Sequence, residues 1–330
     1  MEGVMGVGKI FAVLVMLALA ATASTLAQAA ESRRIVTTTA QIADLVRTVT
    51  GDLADVRNLM GEGIDPHQYR PTRTDVALLA GADLVFWNGL TLEGQMVGLM
   101  ERLGERKPVV AVGDRLAARG VLSDLAAVPV GEPVVDPHIW MDVRLWRAAL
   151  GEIGETLATI DTAHAALYRA NAAAGQARLA DLHRYVSEVM ASVPAGQRVL
   201  VTAHDAFNYF GRAYAIEVVG IQGISTESEA GLHRIEAVVD LLVRRAIPTV
   251  FIESSVSERN VQALIEGAGA RGHRVRVGGM LYSDAMGGAG TYEGTYVGVI
   301  DHNATVIAQT LGGQAPIGGW GGRLMVAGQK

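Results

Sequence analysis

Cysteine is absent from all 330 residues. The chain can therefore form no disulfide, offers no thiolate to a metal ion, and has no N-terminal cysteine to carry a lipid. Positive charge is scarce as well: 28 Lys and Arg against 34 Asp and Glu leave a formal net charge of −6. That balance gives no basic footprint for nucleic acid and is compatible with a cationic ligand. The chain also lacks an HExxH helix and a G-x-S-x-G elbow, two signatures of hydrolytic sites. The apolar run Ile10 to Ala21 falls short of the roughly 20 residues that span a bilayer with ease. It follows Lys9 and precedes Ala27, Gln28 and Ala29, so residues 1–29 read as a cleaved secretory signal peptide. A soluble protein of the bacterial periplasm is the expected product.

What remains is about 300 residues, enough for two domains of ordinary size. Half of the composition is hydrophobic and 19% is charged, so burying two cores is no difficulty. From Arg34 onward, apolar strands alternate with amphipathic helices, the pattern of parallel βα units. Strands are expected at Ile35–Thr38, Val56–Met60, Leu84–Trp87 and Val109–Val112, with helices at Ile42–Val49, Arg73–Ala80, Leu92–Leu103 and Val143–Ile160. Leu116 to Val135 reads as a surface loop. Asp161 to Val193 is Ala-rich and free of proline, so a single helix of roughly 45 Å is expected there, with Gly175 as a weak point. A second alternating half places strands at Val199–Thr202, Glu217–Ile221, Thr249–Ile252 and Arg274–Val277. Its helices fall at Ala206–Tyr214, Leu232–Arg245, Glu258–Ala268 and Tyr296–Leu311. The expected division is an N-terminal lobe over 30–160, a linker helix over 161–194 and a C-terminal lobe over 195–330.

Two stretches carry the same triplet: Asp65, Pro66, His67 in GEGIDPHQYRPTRTD, and Asp136, Pro137, His138 in DPHIWMD. Proline locks its own φ and pushes the preceding residue out of the helical region, so each histidine leaves a stiff turn in a nearly fixed direction. Either triplet alone reads better as a loop turn with a solvated imidazole. Two together look like paired ligands held ready for a metal ion. In open α/β sheets ligands sit at the carboxyl ends of the strands. His204 falls there, directly after VLVTA, and Asp284 falls shortly after RVRV. Taken singly, His204 could be a satisfied core histidine and Asp284 a turn former. Together the four make three imidazoles and a carboxylate, an ordinary donor set for a divalent transition metal.

These stretches resemble the periplasmic zinc and manganese receptors of bacterial ABC importers, the family 9 solute-binding proteins, over nearly the whole mature length. GIDPHQYRPTRTD, DPHIWMD, VTAHDAFNYFGRAYAIEVVGIQGISTESEAG, FIESSVSERNV and LYSDAMGGAGTYEGTYVGVIDHN match in order. The resemblance implies an α/β fold of two βα lobes with parallel sheets, joined by one long backbone helix, with the ligand cleft between the lobes. It assigns metal-ligand roles to His67, His138, His204 and Asp284, and implies a non-catalytic receptor that delivers its ion to a membrane permease. Two departures bear on the metal. Zinc-dedicated members usually carry a His-rich loop before the second ligand, and Val121 to Val135 has no histidine. Manganese-dedicated members usually have glutamate where this chain has His204. Nitrogen-rich sites suit zinc and carboxylate-rich sites suit manganese, so Zn2+ is expected ahead of Mn2+.

The remaining histidines, His164, His183, His233, His273 and His302, read as structural or solvated. Glu227, Glu229 and Glu253 lie in matching motifs and could hydrogen-bond a ligand histidine. Trp87 and Trp140 are expected to pack near the cleft. The rival readings are a metal-dependent periplasmic hydrolase, which needs an open coordination position, and a metal-binding surface adhesin, which the missing anchor cysteine disfavours. A monomer is expected.

Overall fold

The computed structural model describes residues 32–122 and 135–325. The expected signal peptide and most of the expected surface loop, residues 123–134, lie outside the described residues. The chain divides into two compact units, Met1–Arg33 and Arg34–Lys330, and the elements below belong to the second from Arg34 onward.

Four strands form the first sheet in the order β2 (Ala54–Asn58), β1 (Arg33–Thr37), β3 (Leu84–Trp87), β4 (Val109–Ala111). β1 pairs with β3, and β3 with β4, in parallel. Every residue of β3 is buried, as an unbroken apolar run such as LVFW requires. The helices of this half are α1 (Ala40–Thr50), α2 (Arg73–Gly81), α3 (Val97–Gly104), α4 (Val112–Ala118) and α5 (Val143–Ile160). Their starts are written in side-chain oxygens. Thr39 accepts from the Ile42 amide, Thr72 and Asp75 form a reciprocal capping box, and Asp142 accepts from the Arg144 amide.

α6 (Ala165–Ala191) follows, 27 residues or about 40 Å long, preceded by a short 3-10 turn at Thr162–His164. In the second half β5 (Val199–Thr202) pairs with β6 (Glu217–Gly220) and β7 (Thr249–Glu253) with β8 (Arg276–Leu281), both in parallel. α7 (Asn208–Tyr214), α8 (Leu232–Arg244), α9 (Arg259–Ala270) and α10 (Tyr296–Thr310) complete it. The architecture is therefore mixed α/β: two βα lobes with parallel sheets, joined by one long helix. A single apolar cluster runs through both halves, with Phe86 and Trp146 from the first, Tyr168 and Val186 from α6, and Phe210 and Ile300 from the second.

Four local expectations need correction. Gly175 is no weak point, because α6 is unbroken there. A Cβ at Gly175 would lie 2.6 Å from Leu150 Cδ2, so the glycine lets α6 approach α5 closely. The helix expected from Leu92 starts only at Val97. Gly89, Leu90 and Thr91 all take positive φ, and the buried Glu93 carboxylate accepts from the Asn88 and Gly89 amides, which ties the segment into a turn. Val112 opens helix α4 rather than ending a strand, and Leu116, where a surface loop was expected to begin, is buried within that helix. β8 extends through Gly278 and Gly279 to Leu281. A Cβ on Gly278 would meet Thr249 Cγ2 at 2.4 Å and Thr310 Cγ2 at 2.6 Å, so these glycines serve close packing of strand and helix.

Candidate metal centre

Each histidine triplet is fixed by its aspartate as well as by its proline. Asp65 Oδ1 accepts from the His67 amide at 2.9 Å, and Asp136 Oδ1 accepts from the His138 amide at 3.0 Å, an Asx turn in both cases. His204 lies two residues beyond β5, and Asp284 three residues beyond β8. Thus two turns of the first half and two strand ends of the second bring the four side chains to one place. One donor atom from each of His67, His138, His204 and Asp284 lies within 4.8 Å of the other three, and all four residues are buried.

The spacing inside the cluster is close. His67 Nε2 is 3.2 Å from His138 Nε2, His138 Nε2 is 3.4 Å from Asp284 Oδ1, and His204 Nε2 is 3.2 Å from Asp284 Oδ2. A tetrahedron of donors about 2.0–2.1 Å from a central zinc ion has edges of roughly 3.3 Å. Two of the atoms, His204 Nε2 and Asp284 Oδ1, are buried with no hydrogen-bond partner among the described residues. Native proteins rarely leave such atoms unsatisfied. A cation supplies what both lack, so the donor set fits a divalent metal.

Carboxylates behind the rings decide which nitrogen faces inward. His138 Nδ1 donates to Asp136 Oδ1 at 2.7 Å, and His204 Nδ1 donates to Glu253 Oε2 at 2.6 Å. Glu253 Oε1 also accepts from the His204 amide at 2.9 Å. Both pairs leave Nε2 free to coordinate and raise its basicity. Asp136 is itself held from the second half, where Asn208 Nδ2 donates to its Oδ2 at 3.2 Å and the Tyr209 hydroxyl to its carbonyl at 2.8 Å. Asp284 is braced by Gln41 Nε2 donating to its carbonyl at 2.7 Å and by the Ser255 hydroxyl at 3.3 Å from Oδ2.

The electrostatics divide the three rings. Burial pushes His67 down to about 4. Burial also opposes charge on His138, but Asp136 and Asp284 together outweigh it and push that ring up to about 9. His204 is likewise raised well above the usual histidine value, burial being overcome by Glu253 and Asp284. Asp284 is held well below the carboxylate range, since His204 and His138 outweigh its burial.

Of the three glutamates singled out in the sequence, only Glu253 reaches a histidine. Glu227 accepts from Gln95 Nε2 and Glu229 from Asn260 Nδ2. Asp136 was missed, although its signal lay inside the second triplet. Trp140 packs its ring 5.3 Å from that of His138 and donates to the Ser283 carbonyl, whereas Trp87 belongs to a separate cluster with Met96 and Met100. His164, His183, His273 and His302 bond Asp161, Tyr214, the Ile247 carbonyl and the Met280 carbonyl respectively, away from the centre. A cavity of about 700 Å³ adjoins the centre on the His67 side, with Thr91, Pro137, Gln222, Ser225 and Arg234 in its walls.

Two βα lobes on a helical spine, with a buried three-histidine, one-carboxylate cluster beside an interlobe cleft, define the class of metal-binding receptors of periplasmic type. The chain belongs to the family of the periplasmic component A of the zinc-uptake complex, whose sequence profile matches residues 35–310. It is 42% identical to the manganese-binding lipoprotein MntA of Bacillus subtilis over 279 residues, 84% of this chain and 89% of that one. It is 43% identical to the zinc-binding protein TroA of Treponema pallidum over 277 residues, 84% of this chain and 88% of that one. The solved structure of the periplasmic zinc-binding protein TroA superposes with a TM-score of 0.80 at 41% identity, covering 85% of this chain and 99% of that one. Among the described residues no helix is long and apolar enough to cross a membrane.

Proposed function

We propose that this protein is a periplasmic receptor that captures a divalent transition metal and delivers it to the membrane permease of an ABC importer. The observation that carries the reading is the convergence of His67, His138, His204 and Asp284, buried and within 4.8 Å, with two of their atoms lacking a hydrogen-bond partner among the described residues. In this reading the four residues are the ligands. Three neutral imidazole nitrogens and one carboxylate favour zinc, with manganese next. The relatives named for zinc and for manganese are both more than 40% identical to the chain.

The ion is cargo and the chemistry is coordination. Four protein donors around the ion leave no position for an activated water, so the centre works without catalysis. Residues 1–29 direct export and are removed. Residues 30–160 then form the first lobe, 161–194 the linker and 195–330 the second lobe of a monomer that needs no nucleic acid. Elemental analysis of protein purified without added metal, followed by competition between zinc and manganese, tests the reading. One ion per chain with zinc preferred is expected; a chain that retains no metal would overturn it, and manganese winning would reverse the order of metals.

A further inference from the structure

Of the four donors only His67 lines the 700 Å³ cavity, so an ion passing between the cluster and the cleft passes His67. His67 is also the least anchored. His138 and His204 each have a carboxylate on both the ring Nδ1 and the main-chain amide. Among the described residues the His67 ring has one polar contact, Nε2 to His138 Nε2, and Asp65 holds its amide alone. The position of this ring therefore depends on how firmly the Asp65 turn is held.

The shortest bond in that hold comes from the second half of the chain. The Thr226 hydroxyl donates to Asp65 Oδ2 at 2.5 Å. Gln68 Nε2 donates to the same oxygen at 3.0 Å and to the Thr226 carbonyl at 3.2 Å. Thr226 lies between β6 and α8, on the segment whose Gln222, Gly223, Ser225 and Ser228 wall the cavity. Its hydroxyl thus ties one wall of the cleft to the turn that carries the exposed-side ligand. Thr226 is 4% exposed and Asp65 half-buried, so water reaches the bond from the Asp65 side only. A hydrogen bond to a carboxylate in such surroundings is of the strong kind.

We propose that Thr226 is a positioning residue that acts through Asp65 on His67 and so sets the rate at which the metal leaves. The inference rests on the receptor reading and on His67 as a ligand. It is tested by stopped-flow release of zinc from the loaded mature chain into excess chelator, for wild type, Thr226→Val and Thr226→Ser. Valine keeps the shape and removes the hydroxyl, and release is expected to quicken roughly tenfold. Serine restores the hydroxyl, and release is expected within about twofold of wild type. Wild-type release from Thr226→Val, or release from Thr226→Ser as fast as from Thr226→Val, overturns the proposal. Should Thr226→Val be unstable, Asp65→Asn weakens the same bond at constant volume, and it must also release faster for the proposal to stand. A wild-type chain that takes up neither zinc nor manganese overturns the receptor reading itself, and this inference with it.

Discussion

His204 reaches the centre with its Nδ1 and its amide both spent on Glu253, leaving Nε2 as its one available donor. On the proposed ligand set, replacing any of His67, His138 or His204 by alanine removes one donor of four. Metal affinity is expected to fall at least about a hundredfold while the fold persists, because the ligands lie on turns and strand ends outside the apolar cores. Titration calorimetry with circular dichroism of each variant checks it, and unchanged affinity in one would remove that residue from the set. Glu253→Gln keeps the shape but weakens the hold on His204, for which a loss of about 10–100-fold is expected by the same measurement. The protonation states give a further expectation. An unperturbed imidazole loses its proton near 6.5, and on that basis binding would weaken only as pH falls through that value. In the structure His138 is pushed up to about 9 and His204 is raised well above the ordinary value, so both are expected to carry protons at neutral pH when no metal is bound. A raised pKa means that protons compete with metal below it, so affinity rises with pH and levels off only above about 9. With two protons to expel, the loss across pH 5 to 8 should approach roughly a hundredfold per unit. His67, pushed down to about 4, adds a third proton only below that. A chelator-competition titration corrected for the chelator's own protonation measures the slope, and a flat profile would sink the imidazole assignment. The pairing of His138 with Asp136 could have been read from the Asp-Pro-His triplet. The pairing of His204 with Glu253 could not be fixed from sequence alone, since the two are 49 residues apart and adjoin only because β5 packs beside β7.

At the scale of the elements, glycine is where propensity and packing disagree. By propensity alone, Gly154→Ala and Gly175→Ala in the interiors of α5 and α6 should each stabilise by about 1 kcal/mol. The geometry reverses the sign. An added Cβ would lie 2.6 Å from Ala172 Cβ at position 154, and 2.6 Å from Leu150 Cδ2 and 3.0 Å from Thr48 Cγ2 at position 175. Overpacking of this kind destabilises by about 1–3 kcal/mol, and urea denaturation of the metal-free variants would show it as a lower midpoint. Stabilisation in either case would mean that the two helices can separate at little cost. The same distinction explains which elements were legible. Strands such as Leu84–Trp87 and Val199–Thr202 are short apolar runs buried at every residue, and they fall where the alternation placed them. The turn at Gly89–Thr91 is tied by a Glu93 carboxylate that Thr38 holds from 55 residues away, and the glycines of β8 pack against Thr249 and Thr310, contacts for which periodicity carries no signal.

For the whole molecule, the continuity of the core limits motion. The largest apolar cluster takes residues from both halves and from α5 and α6, so the halves cannot swing apart without opening it. Loading should change the radius of gyration only slightly, with ordering confined to the turns around the cleft. Small-angle scattering of metal-free and loaded protein would reveal the alternative, a large hinge closure.

The protons on His138 and His204 also govern what the rest of the molecule senses. Two protons leaving His138 and His204 would carry off the same charge that a divalent cation brings in. Loading is then an electroneutral exchange of one ion for two protons. The field at the surface would be the same in both states, so a membrane partner that distinguishes the loaded receptor from the empty one would have to do so by shape, at the turns that carry His67 and His138.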